Sequence, residues 1–102
     1  MEIIAKLSEM IEDEVCGAEE YACYANKYKG VDNELAKMFY ELSNVEMGHM
    51  AILHKQVTKL INAAKTSGKD VPESMLDMYN MLHKKHVEKA AMVKIMQEEF
   101  TG

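Results

Sequence analysis

An all-α fold is predicted, with three long helices in one domain spanning residues 1–102. Three observations predict it. Apolar residues recur at spacings of three and four through most of the chain, the period of a helix face. The only proline among the 102 residues is Pro72. Turn-forming clusters interrupt the pattern twice, at Gly30 and over Ser67-Gly68-Lys69-Asp70-Val71-Pro72.

The first helix is expected over about residues 2–29. Ile4, Leu7, Ile11, Glu14, Ala18, Tyr21, Ala25 and Tyr28 form its inward stripe, and Glu14 is the one charged member. Gly30 stops this helix, and Asp32 or Asn33 is placed to cap the next. The second helix is expected over about 32–67, with the stripe Leu35, Met38, Phe39, Leu42, Glu46, His49, Leu53, Gln56 and Leu60. Here Glu46 and His49 break the apolar run in its middle. Pro72 suits a first helical turn, so the third helix takes about 72–100. It faces inward with Met75, Tyr79, Leu82, His86, Ala90, Val93 and Phe100. A helix near 30 residues spans roughly 45 Å. Three such helices make a thin bundle, so association with another copy is expected.

Composition narrows the function. A net charge of -5 argues against nucleic acid, which wants a basic face, and favours attraction of cations. No stretch approaches the roughly 18 unbroken apolar residues of a membrane span. The opening MEIIAKLSEM is amphipathic and acidic, unlike a signal peptide, so the cytoplasm is the expected location. Cys16 and Cys23 are seven residues apart on one helix, about 10 Å along its axis, too far for a mutual disulfide. They read as buried thiols, and the ten methionines as fillers of core and interface gaps.

The polar residues in the stripes belong together. A short turn makes the first two helices antiparallel neighbours. Glu14 lies sixteen positions before Gly30 and Glu46 sixteen after it. At 1.5 Å per residue both sit about 24 Å from the turn, at one height. His49 is one turn beyond Glu46 on the same face. Burying two carboxylates and an imidazole costs several kcal/mol unless a cation compensates. The simpler alternative is that Glu46 and His49 pair with each other, or with a lysine. Glu19 and Glu20 lie off the stripe, while Glu9, Glu12, Asp13 and Glu41 are expected as solvated charge. His83 and His86, one turn apart, are a transition-metal pair or, more simply, a surface or interface pair. His54 is expected to face elsewhere, exposed.

These residues resemble the ferritin-like superfamily, most of all the helix pairs of rubrerythrin and bacterioferritin. Such pairs carry a ligand Glu, a Tyr seven residues later, and Glu-x-x-His on the second helix. The matching residues are Glu14, Tyr21 and Glu46-Met47-Gly48-His49. The run from Glu14 to Tyr21, with Ala25, Tyr28 and Lys29, is similar to the bacterioferritin first helix. Leu35 to Glu41 and Asn44-Val45-Glu46 look like the rubrerythrin second helix. The similarity covers about residues 1–65. It implies a dinuclear site with Glu14, Glu46 and His49 as ligands, and Tyr21 orienting a ligand carboxylate through its hydroxyl. It also implies iron, with manganese or zinc as alternatives, and reduction of dioxygen or peroxide. The activity would be ferroxidase and iron handling, or peroxide detoxification.

The family normally repeats the helix pair within one chain, and this chain has one pair. A two-fold homodimer repairs the difference, since an isologous interface supplies each residue twice. Two iron ions would then lie between two chains in a four-helix bundle, with Glu46 bridging and Glu14 and His49 terminal. Encapsulated ferritins resemble this half-length arrangement. Rubrerythrin peroxidases carry a further Glu at the place that Gly17 takes here. The chain also lacks a rubredoxin segment and names no electron donor, which tilts the expectation toward ferroxidase-like chemistry. The rival reading is a non-catalytic metal-binding or structural module whose Met75, Met78, Met81, Met92 and Met96 meet a partner. A third reading is a monomer in which the third helix completes the core.

Overall fold

A tight turn sets the architecture. Gly30 takes the left-handed conformation, φ +83°, that ends a helix without a Cβ clash. Its N–H donates to Asn33 Oδ1 at 2.8 Å, and the Asp32 carboxylate accepts the Leu35 N–H at 3.0 Å as the cap of the next helix. The computed structural model describes residues 2–68 and 72–102. Its three helices are α1 (Glu2–Tyr28), α2 (Asn33–Thr66) and α3 (Glu73–Thr101), and no strand occurs among the described residues. The centre of the second predicted break, Lys69 to Val71, lies outside them. Pro72 stands just before α3, at its N-cap, where a missing N–H costs nothing.

α2 runs back antiparallel to α1, and α3 returns beside α1 in a body 56 × 19 × 18 Å. Near the turn, Asn26 Nδ2 donates to the Met96 carbonyl at 2.9 Å. Lys29 Nζ donates to the Glu99 and Phe100 carbonyls at 3.2 and 2.6 Å. A cation on the last carbonyls of α3 suits the negative end of its dipole. At the far end Ile4, Ile11, Val57 and Ile61 form one core cluster, flanked by Met75, Leu76 and Tyr79 of α3. A second cluster joins Ala18 and Ala22 to Val93, flanked by Met47 and Met96. Ser43 pins all three helices, donating to the Ala18 carbonyl at 2.8 Å and accepting from Gln97 Nε2 at 2.9 Å.

The predicted stripes are rotated relative to the buried seams. α1 buries Ser8, Val15 and Ala22 as well as Ile4, Ile11, Ala18 and Ala25, while Leu7, Tyr21 and Tyr28 are only half-buried. α2 buries Ala36, Ser43, Val57, Ile61 and Ala64, and leaves Met38, Leu42, His49 and Gln56 exposed. Small residues let helix axes approach closely, and the larger side chains then flank the seam. α3 lies along α1 beside Glu12, Cys16 and Asn26. Glu12 and Glu14 point about 200° apart on the helix, so α3 leaves the Glu14 face of the hairpin uncovered.

Four single-residue expectations change. Glu12 is not merely solvated charge, because its Oε2 lies 2.6 Å from Nε2 of the buried His86. Cys23 is exposed, and Cys16 is half-buried and accepts from Lys89 Nζ at 3.1 Å. His54 is half-buried, its ring stacked on His83. Burial, then the charges of His83 and His86, push the His54 imidazole below its ordinary 6.5. Its contribution to stability is therefore complete above pH 6.5 and is lost as the pH falls from there toward the lowered folded value. Thermal melts of wild type and His54→Gln between pH 7.5 and about 5 check this. The wild type is expected to lose more stability on acidification than the variant.

Candidate metal centre

Glu14 on α1 and Glu46 and His49 on α2 meet in the middle of the hairpin. One ligand atom from each lies within 4.8 Å of the others, the one such group of three among the described residues. His49 Nδ1 stands 3.4 Å from Glu14 Oε2 and 3.5 Å from Glu46 Oε1. The meeting follows from the turn, since equal offsets from Gly30 bring both carboxylates to one height. Glu14 and Glu46 are about a quarter exposed at their side chains, and His49 about half.

The electrostatics of the cluster are strained without a cation. Hydrogen bonding to the Glu14 carboxyl, burial, and the Glu14 charge push the Glu46 carboxyl above its ordinary 4.5, and His49 opposes the shift. Glu14 Oε2 is buried with no hydrogen-bond partner. Its 3.4 Å approach to His49 lacks the alignment of a hydrogen bond. An orphaned carboxylate oxygen beside a second carboxylate and an imidazole fits a divalent cation, which would take up the oxygen lone pairs. These three groups would hold such an ion, and three donors from one chain are too few for two ions.

Gly17 clears the space that the Glu46 carboxylate uses. A Cβ at this position would stand 3.0 Å from Glu46 Oε2. Because the carboxylate ends a flexible side chain, the Gly17→Ala variant shifts it cheaply. The fold is expected to gain about 0.5–1 kcal/mol from replacing a mid-helix glycine, while a cation held by the cluster would lose about tenfold in affinity. Denaturant melts and iron titration of this variant are expected to move in opposite directions.

Tyr21 behaves differently from its expected role within one chain. Its ring packs on Phe39 with centroids 6.2 Å apart, in a stack that Tyr24 and Tyr28 extend. Among the described residues no hydrogen bond joins its hydroxyl to Glu14, Glu46 or His49. Glu19 and Glu20 remain outside the cluster. His83 and His86 do not converge either, since His86 pairs with Glu12 and His83 stacks on His54. Sequence reasoning missed the Glu12–His86 pair because it depends on how α3 is set along α1. No helix among the described residues is long and apolar enough to cross a membrane. The chain matches no family model, no curated protein and no solved structure.

Proposed function

We propose that this is a di-iron carboxylate protein of the ferritin-like kind that its sequence resembles, built as half a site per chain. Two copies would hold two iron ions between their Glu14, Glu46 and His49 side chains, with manganese or zinc as alternative occupants. The observation that carries this reading is the buried, partnerless Glu14 Oε2 beside the raised Glu46 carboxyl. Bound iron would supply the electrons that reduce dioxygen or peroxide. The chain's own residues do the rest. The Glu46 carboxyl, raised above its ordinary 4.5 by Glu14 and burial, binds a proton more tightly than a free carboxyl, and a bound cation would compete with that proton. Glu14 and His49 fix the place of that cation, and Gly17 leaves room for the Glu46 carboxylate.

The second copy is supported by the uncovered hairpin face. Met38, Leu42, Val45 and Ile52 are 42, 36, 50 and 68% exposed on α2, the helix that carries Glu46 and His49. A two-fold contact through this face would cover apolar surface and double the donor set in one step. The close approach of Gly17 to Glu46 favours ferroxidase and iron handling over a peroxidase of the rubrerythrin type. A glutamate at position 17 would need the space that Glu46 occupies.

Anaerobic Fe(II) titration followed by air tests the function. The expected result is uptake of about one iron per chain, then rapid growth of a near-ultraviolet ferric absorption. A purely structural module would show neither. A metal-binding module without turnover would take up iron and oxidise it no faster than buffer does.

A further inference from the structure

A second group of metal-ligating side chains lies on another face of α2. His54 is five residues past His49, about 7.5 Å along the axis and some 140° around it. Its ring faces His83 of α3, with centroids 4.6 Å apart and planes 9° from parallel. Tyr79 extends the stack, 5.7 Å from His83. The two imidazoles line two cavities. One, of about 230 Å³, has apolar walls that include Ile11, Met50 and Val87. The other, of about 340 Å³, is open and lined by Thr58, Asn62, Lys65 and Asn80.

We propose that His54 and His83 form an inter-helix site for a single borderline transition ion, Cu(II) or Zn(II), that clasps α3 to α2. The donor chemistry selects the ion. Two imidazoles with no carboxylate favour copper, nickel and zinc over manganese and iron(II). The carboxylate-rich centre on the hairpin has the opposite bias. Burial, then the charges of His83 and His86, lower the His54 imidazole below its ordinary 6.5, which favours the neutral form that can ligate. His86 lines the apolar cavity, but its Nε2 already lies 2.6 Å from Glu12 Oε2 as an ion-pair contact without the alignment of a hydrogen bond. It is not a ligand of this site.

Stacked rings present their nitrogens side by side and not toward one point. Metal–nitrogen bonds near 2.0–2.1 Å require the two nitrogens to approach to about 3 Å. The site therefore requires both side chains to swing, and the open cavity beside them offers the space. Water there fills the remaining coordination positions. The clasp matters because α3 rests chiefly on α1 and meets α2 in a few side-chain contacts. Besides His54–His83 these include the Tyr40–Phe100 stack, the Ser43–Gln97 hydrogen bond and the packing of Met75, Leu76 and Tyr79 at the cluster that holds Val57 and Ile61.

The test uses untagged full-length chain carrying Glu14→Gln, Glu46→Gln and His49→Gln, so that the carboxylate centre is silent whatever its function. With Cu(II), the electron paramagnetic resonance spectrum is expected to show coupling to two imidazole nitrogens at about one ion per chain. Zn(II) is expected to raise the melting temperature. Adding His54→Gln or His83→Gln weakens binding about tenfold or more and abolishes the zinc-dependent rise. Where either variant loses helix content by circular dichroism, paramagnetic broadening in the ¹⁵N-labelled parent replaces it. Cu(II) then broadens the His54 and His83 ring signals first. Absence of binding in the parent, unchanged affinity in a folded His54 or His83 variant, or broadening centred elsewhere overturns the proposal.

Discussion

Replacing His86 with alanine is expected to lower stability by about 2 kcal/mol, a fall in melting temperature of about 8 °C or more. His86 is the one histidine among the buried residues, and it reaches Glu12 across the α1–α3 contact at 2.6 Å. Truncation leaves a cavity beside Ile11 and Val87 and strips Glu12 of its nearest cationic or hydrogen-bonding partner. The loss stays below the 3–5 kcal/mol typical of a broken buried pair. Glu12 is about a third exposed, and Lys85 and Lys89 stand 3.9 Å from it as weaker partners. Burial alone would raise the Glu12 carboxyl, but hydrogen bonds from His86 and Cys16 and the charges of His86 and Lys85 outweigh it and hold it below 4.5. Iron uptake per chain should survive this change, because α3 lies on the opposite side of α1 from Glu14. Thermal melts with iron titration at low temperature separate the two effects.

Glu46→Gln is expected to do the reverse, stabilising the metal-free protein at pH 7 by about 1 kcal/mol while abolishing iron uptake. The corresponding rise in melting temperature is about 4 °C or more. The amide removes one of two adjacent carboxylates and can donate to the orphaned Glu14 Oε2. The sign of the pH dependence checks the cause. A carboxyl raised in the folded state binds its proton more tightly there than in the unfolded chain. Its favourable contribution is present below pH 4.5 and disappears as the pH rises through the raised value. Metal-free wild type should therefore gain stability relative to Glu46→Gln on acidification. His54 contributes the opposite slope. Comparing melts of the two single variants across pH separates the slopes.

Helix boundaries were legible because their causes are local. Gly30, Asp32 and Pro72 fix ends that fall within about two residues of α1, α2 and α3 as observed. The convergence of Glu14, Glu46 and His49 was also legible, since a tight turn converts equal sequence offsets into equal heights. The rotation of the buried seams was not. Apolar periodicity gives most weight to large side chains such as Leu7, Tyr21, Met38 and Leu42. The closest helix contacts instead run through Ser8, Ala18, Ala22 and Ser43. That choice depends on where α3 docks, which is a long-range fact with no local signature. The same cause hid the roles of Glu12, His54 and His86. The displaced stripe is informative in its own right, because its exposed members lie on the side of the hairpin that α3 leaves open.

The central claim is that one chain carries half a dinuclear site and a second copy supplies the other half. Native mass spectrometry of untagged protein, loaded anaerobically with Fe(II), tests it most directly. A two-chain species carrying about two iron ions is expected, with metal-free single chains for Glu46→Gln under the same conditions. A single chain holding two iron ions, or a wild-type dimer holding none, would contradict it.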